Sequence, residues 1–317
     1  MTAASVLLAQ PPQEDEFEGI TPAPGGGRRL LTALLRSRKA LAGGALLLMF
    51  GVVAAIPGLI APYNPNLDSF NPGLQPSAAH LLGTTSQGQD IFSQLVWGAR
   101  GSLIIALAVG LATTAVATVV GVAAAYLGGF WDGGLSLVTD VILVVPTFPL
   151  IVVVAAYTKG ANLLTLIVVL VATGWSYGAR QLRSQVLSLK RREFLEAARV
   201  RGERTSYIMV FEVLPTMTSL IVATFLSSAL YAVLAAAGLQ FVGLGDPNAL
   251  SWGTMLYWAQ SGEALNVGSP LWAIMPGVCV ALLGASFALL NYAFDELSNP
   301  ALRSTRFGRR RRWRRGR

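Results

Sequence analysis

The residue types that could do covalent or metal chemistry are few in this chain, and they stand apart. There is one histidine, His80, and one cysteine, Cys279. A closed metal site needs about four donors within reach of one another, so these two assemble nothing. No Gly-x-Ser-x-Gly elbow, no His-Glu-x-x-His pair and no Gly-x-x-x-x-Gly-Lys-Ser/Thr phosphate loop occurs; Gly25-Gly26-Gly27 has no strand signal before it and no Lys-Ser/Thr after it. His80 reads as a satisfied loop histidine and Cys279 as a buried core cysteine. The chain is therefore not expected to be an enzyme or to carry a cofactor, and the energy for any work must come from a partner or an ion gradient.

The spacing that is organised belongs to basic residues. Between Ala179 and Pro215 the chain reads as a polar island in which Arg180, Arg183, Lys190, Arg191, Arg192, Arg199, Arg201 and Arg204 surround Glu196-Ala197-Ala198. Phe194, Leu195, Ala198 and Val200 make a short amphipathic stretch. Gly202 follows, where a residue without Cβ permits a tight break at positive φ, and Pro215 suits the first turn of a new helix. The pattern predicts helix, turn, helix, lying at a membrane surface.

The elements that must hold this island are apolar. With 53% hydrophobic and 13% charged residues and a mean hydropathy of +0.56, the chain is a membrane protein rather than an ordinary soluble domain. Six stretches reach the roughly 20 residues needed to cross a hydrocarbon core: Ala40 to Ala61, Ser102 to Leu127, Leu135 to Tyr157, Ala161 to Ala179, Thr216 to Val242 and Leu271 to Phe294. The fourth is the shortest, and its Trp175, Ser176 and Tyr177 suit an interfacial belt. With six crossings, 22 of the 24 Lys and Arg residues fall on one side, leaving Arg100 and Lys159 on the other. By the positive-inside rule both termini and the basic island are cytoplasmic in a multi-pass cell-membrane protein. Five crossings would put the C-terminal Arg cluster outside, which counts against that count.

This divides the chain into a cytoplasmic tail over residues 1–39, a first span with an outer loop over 40–101, a core of five spans over 102–294 that contains the loop 179–215, and a basic tail over 295–317. Residues 1 to 27, with their Pro, Gly and acidic residues, carry too little apolar surface to offset chain entropy and are expected to be disordered. The run ending at Ala61 is expected to be an uncleaved anchor, being long and distant from the N-terminus. The tail FGRRRRWRRGR reads first as a solvated topogenic flank, with lipid head groups as a second partner and nucleic acid as the least favoured.

Within the spans, Ala117, Gly121 and Ala125 recur every four residues, a face for close helix packing. Pro146, Pro149 and Pro276 can kink their helices. Asp140 is the one ionisable residue inside the six stretches. An unpaired charge there costs at least about 2.5 kcal/mol, which makes a solute path the default hypothesis. Reaching interfacial water or capping a neighbouring helix is the competing reading.

The basic island resembles the EAA loop of ABC importer permeases, whose pattern is Glu-Ala-Ala, three residues, Gly, nine residues, then a branched apolar residue or His, any residue, and Leu-Pro. Every position matches except Glu212. Residues 80 to 103, HLLGTTSQGQDIFSQLVWGARGSL, and 239 to 254, LQFVGLGDPNALSWGT, are similar to the corresponding segments of the oligopeptide, dipeptide and nickel permease group, in its C-type subunit. Structural use alone would also explain that second segment, with Gly243, Gly245 and Pro247 in a tight turn and Trp252 and Trp258 in an interfacial belt.

The resemblance implies an all-α polytopic membrane protein of the ABC type I importer permease fold, with six transmembrane helices and a cytoplasmic coupling loop. It also implies a second permease subunit, two cytoplasmic ATPase subunits carrying ATP and Mg, and an extracytoplasmic substrate-binding protein. Peptides or peptide-like solutes would be carried, with nickel or another small solute as the alternative within the family. Glu196, Ala197, Ala198 and Gly202, with Thr205, Tyr207 and Pro215, would be the ATPase-coupling residues. Thr85, Gln89, Gln94, Tyr207, Phe211-Glu212 and Ala236 depart from the group's usual residues, which bears on the solute more than on the fold. An ion-coupled secondary transporter and a non-transporting scaffold are the readings from other classes. One intramembrane acid and no evident repeat weigh against the first, and a lipid-facing amphipathic loop would suit the second.

Overall fold

The computed structural model describes residues 37–157 and 162–298. The expectations for the N-terminal tail and for FGRRRRWRRGR fall outside those residues, as does Lys159. Helices account for the architecture: α1 (Arg38–Ala55), the single turn α2 (Pro57–Ile60), α3 (Ile91–Leu127), α4 (Gly129–Val144), α5 (Thr147–Tyr157), α6 (Leu163–Leu189) and α7 (Glu193–Val200). A helical run then opens with α8 (Thr205–Tyr207), widens into a π-helix (Ile208–Val213), and passes through α9 (Leu214–Thr216) into α10 (Thr218–Phe241). After it come α11 (Trp252–Ser261) and α12 (Pro270–Ser298).

Five helices, α1, α3, α6, α10 and α12, are long and apolar enough to cross a bilayer, and α4 with α5 makes a sixth when taken as one span bent by 84°. The bend falls where the sequence places Pro146. Proline lacks the N–H of the helical ladder and disfavours helical geometry in the residue before it; Val145 is accordingly extended, at φ −66° and ψ 126°.

Several span boundaries differ from the apolar runs, the first span ending at Ala55 rather than Ala61 for instance, and two differ most. Helix α3 begins at Ile91 rather than Ser102, capped by Asp90, whose carboxylate accepts from the Ser93 backbone N–H at 2.8 Å and the Ser93 hydroxyl at 2.7 Å. Helix α6 runs on to Leu189, so the first third of the basic island is the end of a spanning helix rather than a connector. Hydropathy marks where the bilayer ends, whereas hydrogen bonding and tertiary packing decide where the helix ends.

The second helix of the island starts at Thr205, and Pro215 stands in the first turn of the short α9 that follows the π segment, with a turn at Met217 before α10. In a regular helix the Pro215 ring would press on the Phe211 carbonyl, and the π-helical widening sits in the turn just before it.

Helix α3 is the axis of the bundle, packing against α6 and α10, while α12 joins α10 to α1. The Ala117, Gly121, Ala125 face is buried here; a Cβ on Gly121 would stand 2.6 Å from the Ala179 carbonyl oxygen, so the two backbones meet directly. At the end away from the basic island, Trp252 is 1% exposed, not interfacial. Its indole N–H donates to the Leu95 carbonyl at 2.9 Å and its backbone N–H to the Ser102 hydroxyl at 3.0 Å. Trp258 donates to the Pro247 carbonyl at 2.9 Å, closing the turn in which Gly243 and Gly245 hold φ of 84° and 142°. Trp175 is likewise buried, in the core at the basic end, while Tyr177 is exposed.

Candidate functional site

The basic end of the bundle is built on α7. Leu195 and Ala198 are fully buried in a core shared with Ala125, Tyr126, Leu182, Val186, Ile208 and Met217. Phe194 and Val200, expected on the same apolar face, turn outward instead, Val200 being 89% exposed. Glu196 and Ala197 are exposed, as are Thr205 and Tyr207. Tyr207 stacks against Phe211 with ring centroids 4.8 Å apart, so α7 and the π segment present apolar side chains among arginines.

Gly202 ends α7 as the sequence predicts. The Glu203 N–H reaches the Ala198 carbonyl at 3.2 Å and the Gly202 N–H the Arg199 carbonyl at 2.9 Å, with Gly202 at φ +78°. That pair of bonds around a left-handed residue is a Schellman cap. Arg201 then lies 3.9 Å from Glu212, giving the residue that departs from the EAA pattern an ionic neighbour on the next helix.

Three residues that the sequence did not single out as a unit tie α7 to α3. The Lys190 ammonium donates to the Ala125 and Tyr126 carbonyls at 3.2 and 3.0 Å, capping the C-terminal end of α3 where the helix dipole favours a cation. Lys190 and Arg199 also flank the Tyr126 ring, at 5.8 and 5.5 Å from its centroid. Separations of 64 and 73 residues leave no local pattern to find.

Asp140 is paired with Arg180, both side chains more than half exposed, and Asp132 takes a bidentate bond from Arg183 at 2.6 and 2.8 Å. The charge that motivated a solute path thus has a protein partner. Asp140 lines a cleft of about 140 Å³ with Ser136, Thr139 and Gly121, walled by α3, α4 and α6.

A separate cavity of about 260 Å³ lies between α4, α6 and α10, lined by Thr173, Ser176, Tyr177, Gln181, Thr224, Ser227, Ser228 and Tyr231 with Ile142 and Leu143. The sequence carried a signal for it. Residues 224, 227, 228 and 231 on α10, and 173, 176, 177 and 181 on α6, follow helical spacing and share a face.

At the opposite end, His80 is buried, its Nδ1 2.9 Å from the Asp90 carboxylate and its ring against Tyr63 and Phe70, a structural role. Cys279 is half-buried against the core rather than enclosed by it. Gln89 donates to Asp68 at 2.5 Å and Gln94 donates to Gln89; both line a polar cavity of about 530 Å³ with Asn248 and Trp258. Thr85 is buried and Ala236 is packed among Ile105, Leu170 and Leu239, so both side chains face the protein core.

Residues 117–299 match the family described as the binding-protein-dependent transport system inner membrane component. The chain is 36% identical over 278 residues to the oligopeptide transport system permease protein OppC of Mycobacterium bovis, covering 86% of this chain and 94% of that one. It is 30% identical to the dipeptide transport system permease protein DppC of Bacillus subtilis, covering 85% and 84%. To the glutathione transport system permease protein GsiD of Pectobacterium atrosepticum it is also 30% identical, covering 87% and 92%. With the family match extending over more than half of the chain and relatives of 30% identity or more aligned along most of it, the chain belongs to the inner membrane components of binding-protein-dependent transport systems.

Proposed function

We propose that this chain is one permease subunit of an ATP-driven importer for peptides or peptide-like solutes. The basic end faces the cytoplasm, where α7 and the following turn dock on an ATPase subunit through Glu196, Ala197, Gly202, Thr205 and Tyr207, while Ala198 couples from the inner face by holding α7 in the core. A second permease subunit completes the path, two ATPase subunits bind ATP and Mg, and an extracytoplasmic binding protein delivers the solute. The observation that carries this reading is the split in α7: one face is exposed and the other, Leu195 and Ala198, is set into the core that holds the ends of α3 and α6. Packed cores do not deform continuously, so a push on the outer face moves the spanning helices with it. Pro215 acts through the shape of the helical run.

Three relatives whose names specify peptide-type solutes support the cargo. The test is reconstitution of the complete complex in vesicles. Glu196→Lys is expected to leave membrane abundance unchanged while reducing ATP-dependent peptide uptake at least tenfold and loosening ATPase association. Undiminished uptake and association would sink the coupling assignment.

A further inference from the structure

We propose that the hydroxyl-lined cavity between α4, α6 and α10 is a contact site for the solute in passage, and that it takes the neutral amide groups of a peptide main chain. The proposal rests on the peptide reading above and assigns that cargo a place in this subunit. The two polar stripes face one cavity from two apolar helices. Hydroxyls in such helices have a bland use, bonding to their own backbone or to a neighbouring helix. Part of the set does this: Thr173 donates to the Val169 carbonyl, Thr224 to the Leu220 carbonyl, and Ser227 accepts from Asn291. Among the described residues, the side chains of Ser176, Tyr177, Gln181 and Ser228 have no hydrogen bond within the chain, yet all four line the cavity.

What these groups offer is both donors and acceptors without charge. A peptide bond presents one N–H and one carbonyl whatever its side chains are, so such a wall holds any peptide by its main chain and discriminates little by charge. No Asp, Glu, Lys, Arg or His belongs to the lining. The nearby ionic pairs, Asp140 with Arg180 and Asp132 with Arg183, line or border the neighbouring cleft. The volume is just below the ~300–1,000 Å³ usual for small-molecule sites, and the exposed Tyr177, Gln181 and Ser227 stand at the mouth. That shape suits one wall of a passage completed by a second subunit.

The experiment uses the complete transporter in vesicles, with this chain's sole cysteine removed as Cys279→Ala. Ser228→Cys, a near-isosteric change, is expected to react with a small hydrophilic thiol reagent, read by the mass of this chain, and saturating tri-alanine during turnover is expected to slow that reaction at least fivefold. Ser228→Leu should lower uptake of tri-alanine at least tenfold, and by the same factor for tripeptides carrying one Lys or one Asp, while Ser228→Thr stays within threefold of the parent. A thiol at position 228 that is unreactive with and without ATP, Leu-variant uptake within twofold of the parent, or a loss that depends on peptide charge would each overturn the inference. Parent complex that accumulates no tripeptide would instead overturn the peptide reading on which it rests.

Discussion

Gly202 shows how much a single residue can be asked to do. Its φ of +78° serves the cap on α7, and a Cβ added there would meet nothing within 4 Å. Any penalty is therefore backbone strain rather than collision, roughly 1–2 kcal/mol for an L-residue. Asparagine tolerates the left-handed region better than alanine or a β-branched residue. Transport by variants of Gly202 is thus expected to fall in the order Gly, Asn, Ala, Val with little change in membrane abundance, measured as uptake per unit of inserted protein; equal uptake by Asn and Val would refute the conformational argument. Gly202 was legible because its function is local, set by Ala198 four residues before it. Trp252 was not, since an amphipathic ring beside an apolar run resembles a belt residue until the fold brings up the Leu95 carbonyl to satisfy its N–H.

At the scale of elements, the spans were legible from apolar length, including the break at Pro146, while the ends of α3 and α6 were not. Turns of helix beyond the bilayer carry no hydropathy signal. The clamp of Lys190, Arg199 and Tyr126 belongs to the same category, made from three elements that only tertiary packing brings together. It yields a test of mechanical linkage. Lys190→Met keeps much of the stem but loses the cation at the end of α3, an interaction worth about 0.3–2 kcal/mol. Expected is a several-fold loss of uptake with ATPase association retained, whereas Tyr126→Phe, which gives up only a 3.5 Å contact to Arg199, should stay near the parent. Loss of association in the Lys190 variant would assign that residue to docking instead. Gly121→Val, placing side-chain atoms against the Ala179 carbonyl, is expected to reduce the amount of folded protein in the membrane, read by detergent-resistant yield.

For the whole molecule, a cytoplasmic placement of the basic island makes a direct prediction. In intact cells, a cysteine at Gly202 should resist an impermeant thiol reagent applied outside, and one at Asn248 should react; the reverse pattern would invert the topology. If the charge-free lining of the cavity between α4, α6 and α10 leaves discrimination among solutes to the delivering protein, exchanging that protein for a compatible one should change the range of solutes imported.

The length of α3 links the two faces of the bundle. Its 37 residues span about 55 Å at 1.5 Å per residue, well beyond a hydrocarbon core of about 30 Å. One end is gripped through Leu95 by Trp252 and the other by Lys190. A rod held at both ends cannot carry information in one direction only. If displacement of α7 alters the far face, thermodynamic reciprocity requires that a ligand held more tightly by one conformation of that face bias α7 by the same free energy. Loading the far side of the bundle should therefore change the affinity of the ATPase for its docking surface, with no messenger other than the helix itself.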